Sequence, residues 1–379
     1  MTSDSGPGTA DSGLRTADQI TAREKHACPS CGAQAEWNPA KQLLLCPFCG
    51  TESPYEGHKA AGVVEELDLL AMLRSLPESE KGWDTARRSV QCQSCKAVMV
   101  FDPAKVGKNC EFCGSPALVD YDDVQAPVRP QSLLPFVVSQ HDVRDQMKRW
   151  YASKWFAPNA FKTKSLVDQL HGLYIPYWTF DASVHCPWTA EAGHNYYTTE
   201  TYRDSQGRTQ TRQKRHTRWV PAAGEIDHVF DDEPVPGTKG VDHRLLRAVE
   251  PFPTQQAVPY DTAFLSGFVV ERYQIDLEEA TKASLQQMHS HLQGLCGAQV
   301  PGDTYRNLVI HPDFSKQTFK HLLVPVWLLT YKYGARSFQV VANGSTGAIA
   351  GDYPKSFWKI AGVVALALIV VLTIIALSQ

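Results

Sequence analysis

The sequence predicts an α+β domain with mainly antiparallel strands, preceded by two small four-cysteine ribbons and followed by a C-terminal transmembrane helix. Three observations predict this architecture. The chain carries two cysteine quartets with the same internal spacing. Aromatic and β-branched stretches then alternate with amphipathic helical segments, and a long uncharged apolar run follows them.

The two cysteine quartets are repeats of one another. Each has the form C-x2-C-x14-C-x2-C, and each cysteine of the second lies 64 residues after its counterpart in the first. Four thiolates in two close pairs match the tetrahedral coordination of Zn²⁺. We therefore predict two zinc ribbons, residues 26–53 and residues 90–119, with one zinc ion each. The predicted ligands are Cys28, Cys31, Cys46 and Cys49 in the first ribbon and Cys92, Cys95, Cys110 and Cys113 in the second.

Other roles for the quartets are weaker. Iron is the nearest alternative metal, because a tetrahedral set of four sulfurs also suits iron. A redox-active pair does not explain a duplicated quartet, and disulfide bonds need an oxidising compartment, for which we see no signal-peptide pattern. Four thiolates leave no open coordination position, so we expect the metals to stabilise the ribbons and to take no part in catalysis.

The segments around the ribbons have distinct compositions. Residues 1–25 are rich in Ser, Thr, Gly and Asp and predict a disordered leader. Residues 63–83 predict a linker helix, because apolar residues recur at helical spacing from Val64 until Pro77 ends the run. This helix would either pack against a ribbon or offer its apolar face to a partner.

Residues 128–355 form the predicted α+β body. One helix is expected over 141–156 and another over 276–296, where Asp276 is the N-cap and Gly297 ends the apolar stripe. Residues 196–220 predict a β-hairpin that turns at 204–207. The acidic segment 231–233 is expected to be a solvated turn.

Two short segments of the body resemble each other: LYIPYW at 173–178 and LLVPVW at 322–327. Each contains a proline, which predicts an edge strand or the start of a strand. A duplicated α+β half would explain the pair, but six residues with three identities leave that question open.

Residues 358–377 predict the transmembrane helix. The run from 360 to 377 carries no charge, and Thr373 is its one polar residue. An α-helix of this length spans roughly 27 Å, close to the thickness of the hydrocarbon core of a bilayer. Trp358 suits the interface, and Lys355 and Lys359 flank the upstream side, which favours a cytoplasmic N-terminal body. We predict a single-pass protein of the cell membrane.

One predicted hairpin is rich in basic residues. Asp204 is the one acidic residue among them. They could contact an anionic surface, either lipid headgroups, a protein or nucleic acid, or they could form a solvated hairpin without function. The residues are Arg203, Arg208, Arg212, Lys214, Arg215 and Arg218.

Catalytic patterns are absent from the sequence. There is no phosphate-binding GxxxxGK[ST] loop, no GxSxG and no HExxH. The formal net charge of −3 gives no global basic field for nucleic acid. Cys186 and Cys296, which lie outside the quartets, are expected to be lone buried thiols. We expect no enzyme activity and identify no small-molecule substrate.

The order of the motifs resembles a family of bacterial proteins. The quartets are followed by LYIPYWTFD (173–181), FLSGFVVE (264–271), VPVW (324–327) and NGSTG (343–347), and then by the apolar tail. This order, over residues 26–377, is similar to the double zinc-ribbon (TFIIB-type), tail-anchored membrane proteins of bacteria. These proteins are often labelled primosomal protein N′ (replication factor Y) helicase-like.

The resemblance implies a role in membrane assemblies, since some members of the family are encoded beside phage-shock-like and flotillin-like (SPFH) proteins. The missing phosphate loop argues against helicase activity. Lys96 stands where Gly32 closes the equivalent turn of the first ribbon, which implies a local change in that turn.

Two functions follow from the sequence. The first is a non-enzymatic, membrane-anchored zinc-ribbon adaptor that holds a cytoplasmic or membrane protein, for example in a flotillin-like or phage-shock-like assembly. The less favoured alternative is a membrane-tethered nucleic-acid-binding protein linked to replication or transcription, without helicase activity. The near-neutral charge favours the adaptor.

Overall fold

The structure is a computed structural model. The predicted leader, residues 1–25, lies outside the residues that it describes. These residues are 26–53, 64, 66–75, 88–93, 97–101, 110, 112, 115, 118–120, 128–158, 170–203, 205, 207–333 and 336–377.

The described residues form five α-helices and sixteen strands. The helices are α1 (Leu69–Ser75), α2 (Gln140–Ser153), α3 (His243–Val249), α4 (Leu277–Gln299) and α5 (Phe357–Leu377). The strands of the N-terminal part are β1 (Glu36–Asn38), β2 (Leu43–Leu45), β3 (Glu52–Ser53), β4 (Leu67–Asp68), β5 (Arg88–Cys92), β6 (Val98–Phe101) and β7 (Leu118–Asp120). The strands of the body are β8 (Ser132–Leu133), β9 (Leu170–Arg203), β10 (Thr209–Pro236), β11 (Val258–Pro259), β12 (Val269–Glu271), β13 (Thr304–Ile310), β14 (Asp313–Tyr333), β15 (Arg336–Asn343) and β16 (Ile349–Gly351).

Among the described residues, β1–β3 form a small antiparallel sheet and the other thirteen strands form one large sheet. Strands β9 and β14 lie at its centre and pair antiparallel from Leu170↔Leu329 to His185↔Asp313. Strand β10 returns along β9 from the hairpin at Arg203↔Thr209. The prediction of a mostly antiparallel body is confirmed.

The two proline motifs lie at the centre of the sheet, so their prediction as edge strands or strand starts is wrong. They pair with each other, with Ile175 opposite Val324. The carbonyl groups of Pro176 and Pro325 accept bonds from Gly237 and Gly344, on the side of each strand away from the β9–β14 ladder. Each proline lies where one outer partner strand ends and the next begins, so its missing N–H breaks no ladder bond.

The body has the arrangement of two duplicated halves. In each half a short strand leads to a helix and then to a long proline-containing strand with an antiparallel return. The orders are β8, α2, β9, β10 and β12, α4, β13, β14, β15, so the second half has β13 as an additional strand. The short strands are exchanged, because β8 pairs parallel with β14 and β12 pairs parallel with β9. The long β9–β14 ladder joins the halves into one sheet, and this exchange adds to it.

The predicted linker helix over 63–83 begins later than expected. It begins at Leu69, because Leu67 and Asp68 pair with β14 as strand β4. The Asp68 carboxylate accepts a bond from the Ala71 amide at 2.7 Å and so starts the helix at this point. Residues 76–83 lie outside the described part of the chain.

Helix α4 confirms the predicted second helix of the body. The Asp276 side chain accepts from the Glu279 amide at 2.8 Å, as an N-cap does. Cys186 and Cys296 are both buried, as expected, but they are not alone. Their Sγ atoms lie 3.9 Å apart, where β9 contacts α4.

The acidic segment 231–233 is a β-bulge, and its prediction as a solvated turn is wrong. Lys320 Nζ lies 2.8 Å from Asp232 Oδ1 and 3.1 Å from Glu66 Oε1, and the Asp232 side chain is only 10% exposed. Burial alone would raise the pKa of Asp232, but the hydrogen bond and charge of Lys320 outweigh it and lower that pKa. Burial raises the pKa of Asp181, which accepts a bond from the Asp232 amide.

Replacing Lys320 by methionine should destabilise the body by about 3–5 kcal/mol at neutral pH, because it leaves buried carboxylates without their cation. Loss of the Lys320 charge should raise the pKa of Asp232. The loss of stability caused by the substitution should therefore become smaller as the pH falls and the carboxylates protonate. Thermal unfolding across a pH series measures both effects. Lys282→Met, which breaks an exposed pair with Glu278, is the control and should change stability little. An equal deficit for both variants at neutral pH would contradict the importance of the buried network.

Helix α5 is long and apolar enough to cross a membrane, and none of its apolar stretch is buried inside the protein. The other helices of the described chain do not meet both conditions. The sequence prediction of a C-terminal apolar helix is confirmed.

Candidate metal centre

The first cysteine quartet lies on two matching turns of ribbon 1, residues 26–53. The Cys28 amide donates to the Ala33 carbonyl at 2.7 Å, and the Cys46 amide donates to the Thr51 carbonyl at 3.0 Å. Gly32 and Gly50 follow the second cysteine of each turn with φ of +71° and +72°. A residue with a Cβ is strained in that conformation, which explains glycine at these positions. Strands β1 and β2 bring the two turns together.

The four sulfur atoms fit one zinc ion. They all lie within 4.8 Å of one another. The Sγ atoms of Cys28 and Cys49 are 3.4 Å apart, and those of Cys31 and Cys46 are 3.6 Å apart. Zn–S bonds of about 2.3 Å at tetrahedral angles place sulfurs roughly 3.8 Å apart. The quartet could therefore hold one zinc ion after small side-chain movements.

The thiols also have the electrostatics of a cation site. Hydrogen bonds from the hydroxyl and backbone of Thr51 lower the pKa of Cys49 to about 6. The Ala33 backbone lowers the pKa of Cys31, but the adjacent Cys49 and Cys46 thiols outweigh it and raise that pKa to about 12. Four thiolates repel one another in this space, and a bound divalent cation offsets that repulsion.

Ribbon 1 is docked on the body through its strands. The Trp37 amide donates to the Ser266 carbonyl at 3.0 Å, and the Ser266 hydroxyl donates to the Ala35 carbonyl at 2.6 Å. The Trp37 ring is buried and lies edge-on to Phe264, with 4.6 Å between ring centroids. Trp37 therefore belongs to the main hydrophobic core.

The opposite side of ribbon 1, which we call the knuckle face, is exposed. It consists of the two cysteine turns, including Pro29, Cys31, Pro47, Phe48 and Cys49, all of which are exposed. The Phe48 side chain is 79% exposed. One side of ribbon 1 therefore contacts the core of the body, and the other side is exposed to solvent.

The second quartet is described in part. Cys92 and Cys110 are buried, whereas Cys95 and Cys113 lie outside the described residues. The Cys92 amide donates to Ala97 at 2.9 Å and the Cys110 amide donates to Ser115 at 2.8 Å. These bonds repeat those of the first quartet at the same spacing of five residues.

The described residues do not show ribbon 2 as a separate ribbon. The strands of this predicted segment, β5, β6 and β7, belong to the large sheet. Strand β6 pairs antiparallel with β12, where Met99 lies opposite Glu271. Phe112, the counterpart of Phe48 in the repeat, is fully buried in the body core. Its carbonyl accepts from the Gln339 amide group at 3.3 Å and from the Thr330 hydroxyl. The same position of the sequence repeat is therefore exposed at Phe48 and buried at Phe112.

Glu271 is a buried residue that the sequence did not single out. It lies under ribbon 2, fully enclosed, and Gln274 donates to it at 2.7 Å. Burial raises its pKa to about 8 against the hydrogen bonds of Thr238 and Gln274. A single acidic residue in a strand gives no sequence signal of such burial.

The basic hairpin forms as predicted, with Gly207 at its turn in a left-handed conformation. All six basic residues are exposed. The register brings Glu200 opposite Arg212, and Glu200 accepts from Arg212 at 3.3 Å and Lys214 at 2.9 Å. Glu200 precedes the basic cluster in the sequence, so only the strand register reveals that it offsets two of the charges.

The fold and site define a class of protein: a four-cysteine ribbon docked on a large, mostly antiparallel sheet whose chain continues into an apolar C-terminal helix. The chain is similar to YdjG, an uncharacterized protein of Bacillus subtilis (strain 168). The two are 22% identical over 241 residues, which cover 63% of this chain and 68% of YdjG. No protein-family model matches the chain, and no solved structure matches it.

Proposed function

We propose that this protein is a non-enzymatic adaptor, anchored in the cell membrane by α5, that holds a protein partner on the knuckle face of ribbon 1. The observation that carries this proposal is the contrast between Phe48 and Phe112. The same repeat position is 79% exposed in ribbon 1 and fully buried in ribbon 2. An aromatic side chain on a rigid turn is the kind of residue that dominates protein interfaces.

The burial of Phe112 indicates what a partner of Phe48 looks like. Phe112 lies in an apolar site, and two side-chain donors, from Thr330 and Gln339, reach its carbonyl group. A partner of Phe48 would offer a similar apolar pocket with polar donors at its rim. Ribbon 1 would then bind another protein as ribbon 2 binds its own body.

The proposal includes two zinc ions, one in each ribbon. The first quartet could hold zinc by its geometry. Support for the second comes from its backbone bonds, which repeat those of the first, and from the Phe112 amide, which lies 3.4 Å from Cys110 Sγ. Amide donors of this kind stabilise thiolate ligands. Zinc in ribbon 2 would stabilise the sheet, since that ribbon is covered.

The proposed setting is the cytoplasmic face of the cell membrane. Lys355 and Lys359 flank α5 on its N-terminal side, and cysteine-ligated zinc suits a reducing compartment. A flotillin-like or phage-shock-like membrane assembly is the partner class that the sequence resemblance implies. The nucleic-acid alternative could use either the ribbons or the basic hairpin as the binding element. The hairpin is the weaker of these two candidates, because Glu200 pairs with Arg212 and Lys214.

Replacing Phe48 by serine should abolish partner capture and leave zinc content and membrane location unchanged, because the side chain is exposed and is not a ligand. The test is purification of the full-length protein from detergent-solubilised membranes after nuclease treatment, with co-purifying proteins identified for each variant. Val229→Ser is the matched control, since Val229 is also apolar and is 68% exposed on the body. The proposal would be contradicted if the partner still co-purified with the Phe48→Ser variant, or if nuclease treatment removed it.

A further inference from the structure

The start of α5 is fixed to the body by the loop that follows α2, residues 154–157. The Ser356 amide donates to the Phe156 carbonyl at 2.8 Å. The Lys359 ammonium donates to the carbonyl groups of Trp155 at 3.0 Å and Ala157 at 2.8 Å. Three bonds to one loop hold the first turn of α5 against the body, so the apolar helix does not begin as a free tether.

Aromatic side chains are concentrated at this junction. Trp155 is 65% exposed, and Phe357 and Trp358, in the first turn of α5, are 74% and 83% exposed. Behind them, Lys154 lies over the Trp150 ring at 4.8 Å from its centroid and 6.0 Å from that of Tyr353. Exposed tryptophans combined with lysines are the composition that favours the boundary between lipid headgroups and acyl chains.

We propose that loop 154–157 lies in the phospholipid headgroup region of the bilayer that α5 enters, with Trp155 as a second interfacial anchor beside Trp358. This inference rests on the proposed membrane span. The occupant of the exposed aromatic surface is lipid, because that surface is continuous with the start of α5 and because its lysines complement phosphate groups. The body is then held on the membrane in one orientation.

The long central strands extend from the junction with α5. Tyr331, near the end of β14, lies against Tyr151 of α2 and donates to the Asp352 carbonyl at 3.1 Å, close to the junction. Strand β9 runs antiparallel to β14, so it leads away from the junction towards Arg203. Its 34 residues correspond to roughly 110 Å of strand contour. The basic hairpin at its far end is therefore distant from the junction with α5.

The experiment uses the full-length protein in liposomes of phosphatidylethanolamine and phosphatidylglycerol, with lipids brominated in the upper part of the acyl chain. Bromine quenches tryptophan fluorescence at short range. We expect Trp155→Phe and Trp358→Phe each to remove a distinct part of the quenched signal. Trp219→Phe is the matched control and should remove none, because Trp219 lies opposite Gly193, far along β9.

Flotation of the liposomes separates the outcomes. If the protein floats and Trp358→Phe lowers quenching while Trp155→Phe does not, the loop is outside the interface and the inference is overturned, although the span stands. If the protein does not float and quenching is absent in every variant, the span itself fails and the inference fails with it. A loss of quenching in Trp219→Phe equal to that in Trp155→Phe would also overturn the proposed orientation.

Discussion

Replacing Cys28 by serine should abolish metal binding by ribbon 1 and lower the thermal stability of the whole body. Structural zinc sites contribute about 10–16 kcal/mol of apparent binding free energy at neutral pH, and the loss of one of four thiolate ligands weakens that binding. The effect extends beyond the ribbon, because Trp37, Leu44 and Ala35 are part of the main hydrophobic core. Zinc content should fall from two ions per chain to one, measured by elemental analysis beside thermal unfolding.

Cys186→Ser is the matched control for this prediction. Cys186 is as buried as Cys28 but lies outside both quartets, in contact with Cys296. Its replacement should leave the zinc content unchanged and cost far less stability. Unchanged zinc content in Cys28→Ser, or iron in the purified wild-type protein, would contradict the account of the metal centre.

Deleting residues 358–379 should move the protein from the membrane to the soluble fraction, because α5 holds the one candidate span among the described residues. A point-variant test leaves the length unchanged. Leu368→Arg combined with Val371→Arg should weaken insertion by about 3 kcal/mol per charge. Leu368→Val combined with Val371→Leu is the control and should remain in the membrane. Carbonate extraction of membranes distinguishes the integral protein from the released protein.

Protease accessibility tests the proposed topology of the same helix. Protease added outside intact cells should leave residues 1–355 uncut, since the flanking lysines favour a cytoplasmic body. Cleavage of the body in intact cells would place the cysteine quartets in an oxidising compartment. That result would reverse both the topology and the argument for zinc.

Local patterns explain what the sequence predicted well. The spacing of Cys28, Cys31, Cys46 and Cys49 specifies two turns that need no distant contact to form. The cap of α4 depends on Asp276 and Glu279, three residues apart. The apolar run of α5 is uniform along its length, so it is recognised without knowledge of the rest of the chain.

Long-range contacts explain what the sequence predicted badly. The prolines of the two related motifs suggested edge strands, but they lie in gaps between successive partner strands at the sheet centre. Leu67 appeared helical by its spacing, and pairing with Phe319 draws it into the sheet. Asp232 appeared solvated, although Lys320, almost ninety residues later, meets it in the fold. Each residue has a partner too distant for any local pattern to reveal.

The repeat shows the same limit within the candidate site. Phe48 and Phe112 occupy identical positions in nearly identical turns, and their sequences give no reason for different environments. The difference arises because β6 joins the sheet at β12 and carries Phe112 into the core. Ribbon 1 docks by its strands and leaves Phe48 outside.

The most direct measurement places a photo-reactive benzophenone amino acid at position 48 of the full-length protein in living cells, with position 112 as the buried control. Illumination should crosslink position 48 to another protein, so the adduct should be sensitive to protease and resistant to nuclease. Position 112 should give no such adduct. The adaptor account would be contradicted by an adduct that nuclease removes. It would also be contradicted if a zinc-loaded, membrane-integrated protein gave no adduct at position 48.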